Sequence, residues 1–303
     1  MKLFFHLEFW FFFILKEIKF KLGLLSNFKR NKKFANLYSD RINYYNKIDS
    51  SFSVNNGVTL SDVPKFKHNS ARFYDFYKLL INFPFFLRFN YDLSDFHGLP
   101  KTPTLVKNRL IDRRNKNCVL LPLNSWRHYK KHFDTFSYEQ KIPKMVWRGA
   151  AYKKLRKDFL AETVKLNFCD VGCTGKIKSK YSKPWMSVNA HYKYKFIFSV
   201  EGNDIASNLR WILSSNSLCF MQKPKYESWF MEGLLKPGIH YVEINKDFSN
   251  IKKLYDYYLK YPDKAEKIIS NANRHAKLFE SLDLQFEIAK YVIFKYGKRS
   301  NQL

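Results

Sequence analysis

The feature that most constrains the fold is an alternation of short apolar runs with helical segments between residues 145 and 280. The runs predict strands at residues 145–147, 168–171, 196–200, 218–221 and 241–244, and a further strand candidate lies at residues 118–123. Apolar side chains at helical spacing predict helices over residues 154–166, 208–214, 251–258, 263–279 and 283–295. Alternation of this kind predicts an α/β protein built on a doubly wound parallel sheet.

The chain of 303 residues has room for two domains of ordinary size. Residues 34–90 are interpreted as helices and loops, with a helix over residues 71–80, and Pro100 and Pro103 mark a loop. We therefore predict a first domain over residues 34–140 and a second over residues 141–280. The final helix, in residues 281–303, is free to cross back to the first domain.

The N-terminal segment, residues 1–33, combines an apolar run with a cluster of cations. Residues 1–15 are rich in Phe and Leu, but the run is too short to span a bilayer, and His6 and Glu8 interrupt it. No small-residue cleavage site of a signal peptide follows. Two interpretations remain open, a peripheral membrane anchor at an anionic surface and a helix packed on its own domain.

Positive charge is concentrated in the middle of the chain. The formal net charge is +28, and residues 101–200 alone carry 23 basic and 6 acidic side chains. Such an excess favours an anionic partner, which is a nucleic acid, a membrane surface or a phosphorylated small molecule. The four cysteines show no disulfide or zinc spacing, which is typical of a reducing compartment.

Common motifs for phosphate, nucleophile and metal chemistry are missing from the sequence. It has no Gly-x-Gly-x-x-Gly, P-loop, Gly-x-Ser-x-Gly or His-Glu-x-x-His motif, and no Asp-x-Asp pair for a metal-bound nucleotide. His128 and His132 stand four residues apart, but without a third ligand nearby a surface helix is the favoured interpretation. No metal site is predicted.

Two strand–turn–helix corners carry the residues best suited to an anionic ligand. The strand at residues 196–200 leads to Gly202, Ser207 and Arg210, and the strand at residues 145–147 leads to Arg148 and Gly149, with Arg156 in the next helix. Helix N-termini at the carboxyl ends of parallel strands bind phosphates, and Arg can clamp a diphosphate. From spacing alone, solvated basic helices explain the same pattern equally well.

Several longer motifs resemble glycosyltransferase family 90, in particular its bacterial branch. The matching stretches are EGNDIASNLRW at residues 201–211, ESWFMEGLLKPGIHYV at residues 227–242, WRG at residues 147–149, CDVG at residues 169–172 and PTLVKNR at residues 103–109. The resemblance implies a GT-B fold, which consists of two Rossmann-like domains with a cleft between them. It also implies inverting, metal-independent transfer of a sugar from a nucleotide sugar, commonly a UDP-sugar.

The resemblance also implies roles for particular residues. The donor-binding set is Arg148, Gly149, Arg156, Gly202, Ser207 and Arg210. The general base for the acceptor hydroxyl matches Asp92, with Asp95 as a rival because the loop up to Pro103 is longer than in the family. Either Asp alternatively caps the turn that follows it.

The expected function is therefore transfer of a sugar to a cell-surface glycan such as lipopolysaccharide, without a cofactor. The expected partners are a nucleotide sugar, a glycolipid or polysaccharide acceptor and an anionic membrane surface, and no nucleic acid. The expected location is the cytoplasm, at the inner face of the cytoplasmic membrane. The alternative is a non-catalytic, basic nucleic-acid-binding protein, which leaves the two Gly–Arg corners unexplained.

Overall fold

The polypeptide divides between Trp126 and Arg127. A computed structural model describes residues 11, 28–60, 62, 71–95, 98–130, 132–175 and 179–303. One unit comprises residues up to Trp126 together with Leu282–Leu303, and the other comprises Arg127–Ser281. The last helix of the chain thus belongs to the same unit as the N-terminal part.

The elements are numbered here in chain order. The helices are α1 Lys32–Leu37, α2 Ser39–Tyr45, α3 Ala71–Leu80, α4 Ser125–His128, α5 Lys154–Thr163, α6 Val188–His191, α7 Leu209–Leu213, α8 Ile251–Lys260, α9 Pro262–Lys277 and α10 Leu282–Arg299. The strands are β1 Asn90–Asp92, β2 Thr104–Val106, β3 Asn108–Leu110, β4 Cys118–Leu120, β5 Ile142–Gly149, β6 Cys169–Cys173, β7 Tyr194–Ser199, β8 Leu218–Met221, β9 Tyr226–Ser228 and β10 Val242–Glu243. Short 3₁₀ turns occupy Asn115–Asn117 and Glu232–Leu234.

The first unit contains a small parallel sheet in the order β1-β2-β4. Leu105 in the central strand faces Tyr91 on one side and Val119 on the other. The sequence analysis predicts no strand at residues 90–92 or 104–106, because strands of three residues show no periodicity. The helix predicted over residues 71–80 is confirmed as α3.

Helix α10 completes the first unit by packing against α2 and α3. It buries Ile288, Val292 and Tyr296, which recur every four residues on one face. Asn46 donates from Nδ2 to the Val292 carbonyl at 3.1 Å, so the end of α2 is tied to the middle of α10.

The second unit is an α/β domain with a five-stranded sheet in the order β10-β8-β7-β5-β6. All its pairings are parallel, with Val146 opposite Ile197 and Arg148 opposite Gly172. The doubly wound parallel sheet predicted from the sequence is therefore confirmed for this unit. The chain leaves β5 towards β6 on one side and returns as β7 on the other, so the order reverses between β5 and β7. In such sheets ligands bind at the carboxyl ends of the strands at this switch point.

Aromatic side chains fill the core between this sheet and its helices. The Phe159 ring of α5 lies 5.4 Å from the Trp147 ring, 4.9 Å from Phe198 and 5.6 Å from Phe248, between ring centroids. These edge-to-face contacts hold α5 against the ends of β5 and β7. The residues that follow these two strands consequently meet at a fixed place.

Among the residues that the structure describes, no helix is long and apolar enough to cross a membrane. Apart from residue 11, the apolar run of residues 1–15 lies outside the described residues. The anchor predicted there stays a prediction.

Candidate active site at the sheet switch point

Arg156 joins the two corners predicted from the sequence. Its guanidinium donates from Nη1 to the Ala150 carbonyl at 2.9 Å, just after β5. It also donates from Nη2 to the Val200 carbonyl at 2.8 Å and from Nε to the Val200 and Glu201 carbonyls at 3.2 and 3.1 Å, just after β7. One side chain from α5 thus fixes both chain segments at the switch point.

Two glycines allow this close packing. A Cβ on Gly202 would lie 3.1 Å from Arg156 Nη2 and 3.2 Å from its Cζ, which is tighter than ordinary contact. A Cβ on Gly149 would lie 2.6 Å from the Trp147 indole, over which the Arg156 guanidinium stands at 5.6 Å from the ring centroid. The structure therefore brings Arg156, Gly149 and Gly202 together, and glycine is needed at both corners.

The Arg156 guanidinium forms no ion pair with a described carboxylate. Burial lowers the pKa of the guanidinium, Arg127 lowers it further, and Asp204 opposes them. Because Arg stays charged in proteins, a partly buried guanidinium of this kind favours an anionic ligand.

Arg148 has a different environment. It donates from Nη2 to Asp170 Oδ1 at 2.8 Å and from Nη1 to the Asp170 carbonyl at 2.7 Å, which links β5 to β6. Lys183 and the Tyr194 hydroxyl also bind the Asp170 carboxylate, and together these contacts hold its pKa at about 2 despite the opposing effect of burial. The Arg148 charge is thus neutralised within the fold, a role that sequence reasoning missed because Asp170 lies 22 residues away.

Arg210 lies in an aromatic environment. Its guanidinium stands 3.8 Å from the centroid of the Tyr129 ring and 5.6 Å from that of Phe230, and it donates to the Phe279 carbonyl. No described contact joins Arg210 to Arg156 or Gly202. Ser207 lies in the preceding turn.

Helix α7 begins at Leu209, one residue after the predicted helix start at residue 208, and Asn208 is its N-cap. The Asn208 side chain binds back to β7, donating to the Phe198 carbonyl at 3.0 Å and accepting from the Ser199 hydroxyl at 3.1 Å.

A narrow cleft lies beside these corners at the ends of β7 and β8. Glu201 and Glu232 line it together with apolar side chains. Burial raises the pKa of Glu232 to about 7, although Ser228 donates to its carboxylate from both its backbone N–H and its hydroxyl. Burial also raises the pKa of Glu201. Both acids lie in stretches that resemble the family motifs, but the sequence analysis assigns neither of them a role.

The two candidate bases in the first unit differ in their partners. Asp92 ends β1, and its Oδ1 accepts from the Ser94 N–H at 2.8 Å and the Ser94 hydroxyl at 2.5 Å. Asp95 Oδ1 accepts from both Arg72 and Lys107, each at 2.7 Å. Asp95 is thus neutralised by two cations, whereas the described residues place no cation on Asp92.

Comparison with known proteins identifies the family. The model described as Glycosyl transferase family 90 matches residues 122–300, which is more than half of the chain. O-glucosyltransferase LpsA of Dichelobacter nodosus is 37% identical over 260 residues, covering 85% of this chain and 81% of that protein. The chain belongs to glycosyltransferase family 90. The family resemblance seen in the sequence motifs is confirmed, and the protein is a glycosyltransferase.

A second family 90 relative is more distant. Protein O-glucosyltransferase 2 of Danio rerio is 25% identical over 149 residues, which covers 46% of this chain and 29% of that protein. The family match includes the whole switch-point corner from Arg148 to Arg210.

The described part of this family 90 chain contains no group of three or more His, Cys, Asp or Glu side chains arranged to hold a metal ion. His128 is the last residue of the short helix α4, so His132 lies beyond the helix end. The helical face on which the two histidines were considered as a pair is therefore absent.

Proposed function

We propose that this protein transfers glucose from a nucleotide sugar, with UDP as the nucleotide, to a cell-surface glycan of the lipopolysaccharide type. Family membership supports glycosyl transfer, and the name of the Dichelobacter nodosus relative supports glucose as the sugar. The observation that carries the proposal is Arg156, a cation without an ion-pair partner in the described residues, held at the switch point between two glycine corners.

In this proposal Arg156 binds the donor diphosphate. A guanidinium has five N–H donors, and the contacts to the Ala150, Val200 and Glu201 carbonyls use three of them. One N–H on each Nη remains for phosphate oxygens. Gly149 and Gly202 let the backbone approach the ligand closely.

The remaining residues of the donor set have supporting roles. Arg148 holds β5 against β6 through Asp170. We propose that this contact fixes the backbone after β5 in the conformation that binds the donor. Ser207 and Arg210 belong to the segment after β7, and we propose that they bind the distal part of the donor.

We propose Asp92 as the general base that deprotonates the acceptor hydroxyl. One oxygen of its carboxylate is held by Ser94, and the other has no partner among the described residues. A base must accept a proton, and a carboxylate bridged by two cations, as in Asp95, does so poorly. A single base and no covalent intermediate correspond to an inverting reaction.

The proposal also covers the fold, the need for a metal and the location of the protein. We propose a GT-B arrangement, catalysis without a bound metal, and a cytoplasmic protein attached peripherally to the inner face of the cytoplasmic membrane. The segment of residues 1–33 and an anionic glycolipid acceptor both suit such a surface.

The direct test of the donor site is calorimetric titration of UDP and UDP-glucose into the wild-type protein, with ADP and ADP-glucose as controls. Saturable binding of the uridine compounds supports the proposal. Equal binding of both nucleotides would contradict UDP as the donor nucleotide, and binding of neither would contradict the donor site itself.

A further inference from the structure

An exposed aromatic side chain and unpaired cations lie together at one place on the first unit. Residues 84–87 form a tight turn after α3, closed by the Leu87 N–H donating to the Pro84 carbonyl at 3.0 Å. Phe86, at the third position of this turn, is 65% exposed. Most of the Phe86 side chain is therefore accessible from outside the fold.

The contacts of Phe28 place the cationic residues 29 and 30 near this turn. The Phe28 N–H donates to the Asn82 carbonyl at 3.1 Å, and the Phe28 ring lies 5.5 Å from the Phe83 ring. Residues 29 and 30 therefore follow a residue that contacts Asn82 and Phe83, which directly precede the turn that carries Phe86. Both Lys29 and Arg30 are exposed.

The C-terminal end of α10 adds another cation to the same place. The Arg30 guanidinium stands 5.7 Å from the centroid of the Phe294 ring, and Lys298 Nζ stands 5.6 Å from it. Phe28 contacts the same ring at 5.7 Å. Two like charges are thus held around one aromatic ring, although they repel each other.

None of these cations is neutralised within the described chain. Lys29, Arg30 and Lys298 form no ion pair with any described residue, and the exposed Lys32 and Lys33 follow at the start of α1. Exposed cations around an exposed aromatic ring are typical of a surface that binds a membrane interface. In such a contact the ring enters the headgroup region and the cations bind anionic lipids. The apolar sequence of residues 1–15 joins the chain on the N-terminal side of this surface.

We infer that Phe86, Lys29, Arg30 and Lys298 form a docking surface for an anionic phospholipid bilayer, in which side chains of the folded first unit join the last cations of the N-terminal segment. The inference rests on the membrane attachment proposed above and names the folded surface that takes part in it. It is independent of the donor site, which belongs to the other unit.

The test is sedimentation of the full-length protein with two kinds of vesicles, pure phosphatidylcholine and equal parts of phosphatidylcholine and phosphatidylglycerol. One basic side chain near an anionic surface is worth about 1 kcal/mol, so the double variant Arg30→Gln/Lys298→Gln should lower the partition coefficient on anionic vesicles roughly tenfold or more. Phe86→Ser should lower it several-fold.

Matched controls come from the second unit. Lys253 and Lys267 are exposed and form no ion pair with described residues, so Lys253→Gln/Lys267→Gln removes the same charge. Phe133 is 76% exposed, and Phe133→Ser matches the Phe86 variant. Both controls should bind anionic vesicles like the wild type.

UDP titration of every variant separates this inference from the proposed catalytic function. Vesicle binding lost with UDP affinity retained supports the docking surface. Partitioning that is unchanged in the Arg30/Lys298 variant, equally reduced in the control, or equally strong on neutral vesicles overturns it. Absence of UDP binding by the wild type would instead refute the donor site.

Discussion

Replacing Arg156 by Ala should weaken binding of the nucleotide donor in a protein that remains folded. The variant removes a partly buried cation at the switch point that forms no ion pair with a described carboxylate. A charge-assisted hydrogen bond contributes about 1.5–3 kcal/mol, so losing one phosphate contact should weaken UDP binding about tenfold to more than a hundredfold. Calorimetric titration measures this directly.

The same variant has a stability cost that the geometry allows us to work out. Three carbonyl groups, those of Ala150, Val200 and Glu201, lose a donor at 2.8–3.2 Å. At about 1 kcal/mol for each acceptor that water does not satisfy, the free energy of unfolding should fall by up to about 3 kcal/mol. Urea denaturation measures this loss and shows whether the variant is folded in the titration.

Two further variants make the result decisive. Arg156→Lys keeps the charge but not the planar fork, so it should retain part of the UDP affinity while losing the bridge between the corners. Arg274→Ala removes an exposed Arg from α9 and should leave UDP binding unchanged. If Arg156→Ala is folded and binds UDP like the wild type, the diphosphate role of Arg156 is refuted.

Three other predictions concern the base, the metal and the effect of pH. Asp92→Asn should bind UDP normally but lose turnover by roughly 10²–10⁴-fold, with Asp95→Asn less affected, and the reverse order of turnover would make Asp95 the base. EDTA should leave glucosyl transfer unchanged, and restoration of an EDTA-inhibited enzyme by a divalent cation would show that a metal takes part. Burial raises the pKa of Asp75 from 3.8 to about 6, against hydrogen bonds from Ser125, so the folded state binds the extra proton. Relative to Asp75→Asn, wild-type stability should therefore fall by about 2–3 kcal/mol as pH rises from about 4 to 6 and then level off, and a flat difference in denaturation experiments would contradict this.

The second unit shows what sequence periodicity predicts well. The apolar runs at residues 196–200 and 218–221 became β7 and β8 because strands buried on both faces need continuous apolar side chains. The helices predicted over residues 263–279 and 283–295 are likewise confirmed as α9 and α10, since their buried positions recur at helical spacing.

The first unit shows where periodicity fails. Strand β1 reads Asn-Tyr-Asp and is only partly buried, so it has neither alternation nor an apolar run. Its pairing with β2 is fixed by tertiary contacts that no local pattern reports. Strands of this kind are recognised only once their partners are known.

The candidate site likewise contains residues that the sequence predicts and contacts that it does not predict. Gly149 and Gly202 each follow a recognisable strand, and Arg156 lies in the basic helix after Gly149, so the sequence points to all three and the structure brings them together. The neutralisation of Arg148 by Asp170 depends on the register of β5 with β6, which the sequence does not specify. Burial of Glu232 likewise arises from the fold and not from its sequence neighbours.

The central claim, inverting glucosyl transfer to a lipopolysaccharide-type glycan, is tested most directly by incubating the purified protein with UDP-glucose and glycan from a strain that lacks the gene. Mass spectrometry should show the addition of one hexose, and NMR of the product should show a β-linkage, because inversion of the α-linked donor gives the β-anomer. An α-linked product would contradict the inverting mechanism and the role of Asp92. No transfer to this glycan, with UDP-glucose hydrolysed or unused, would contradict the proposed acceptor.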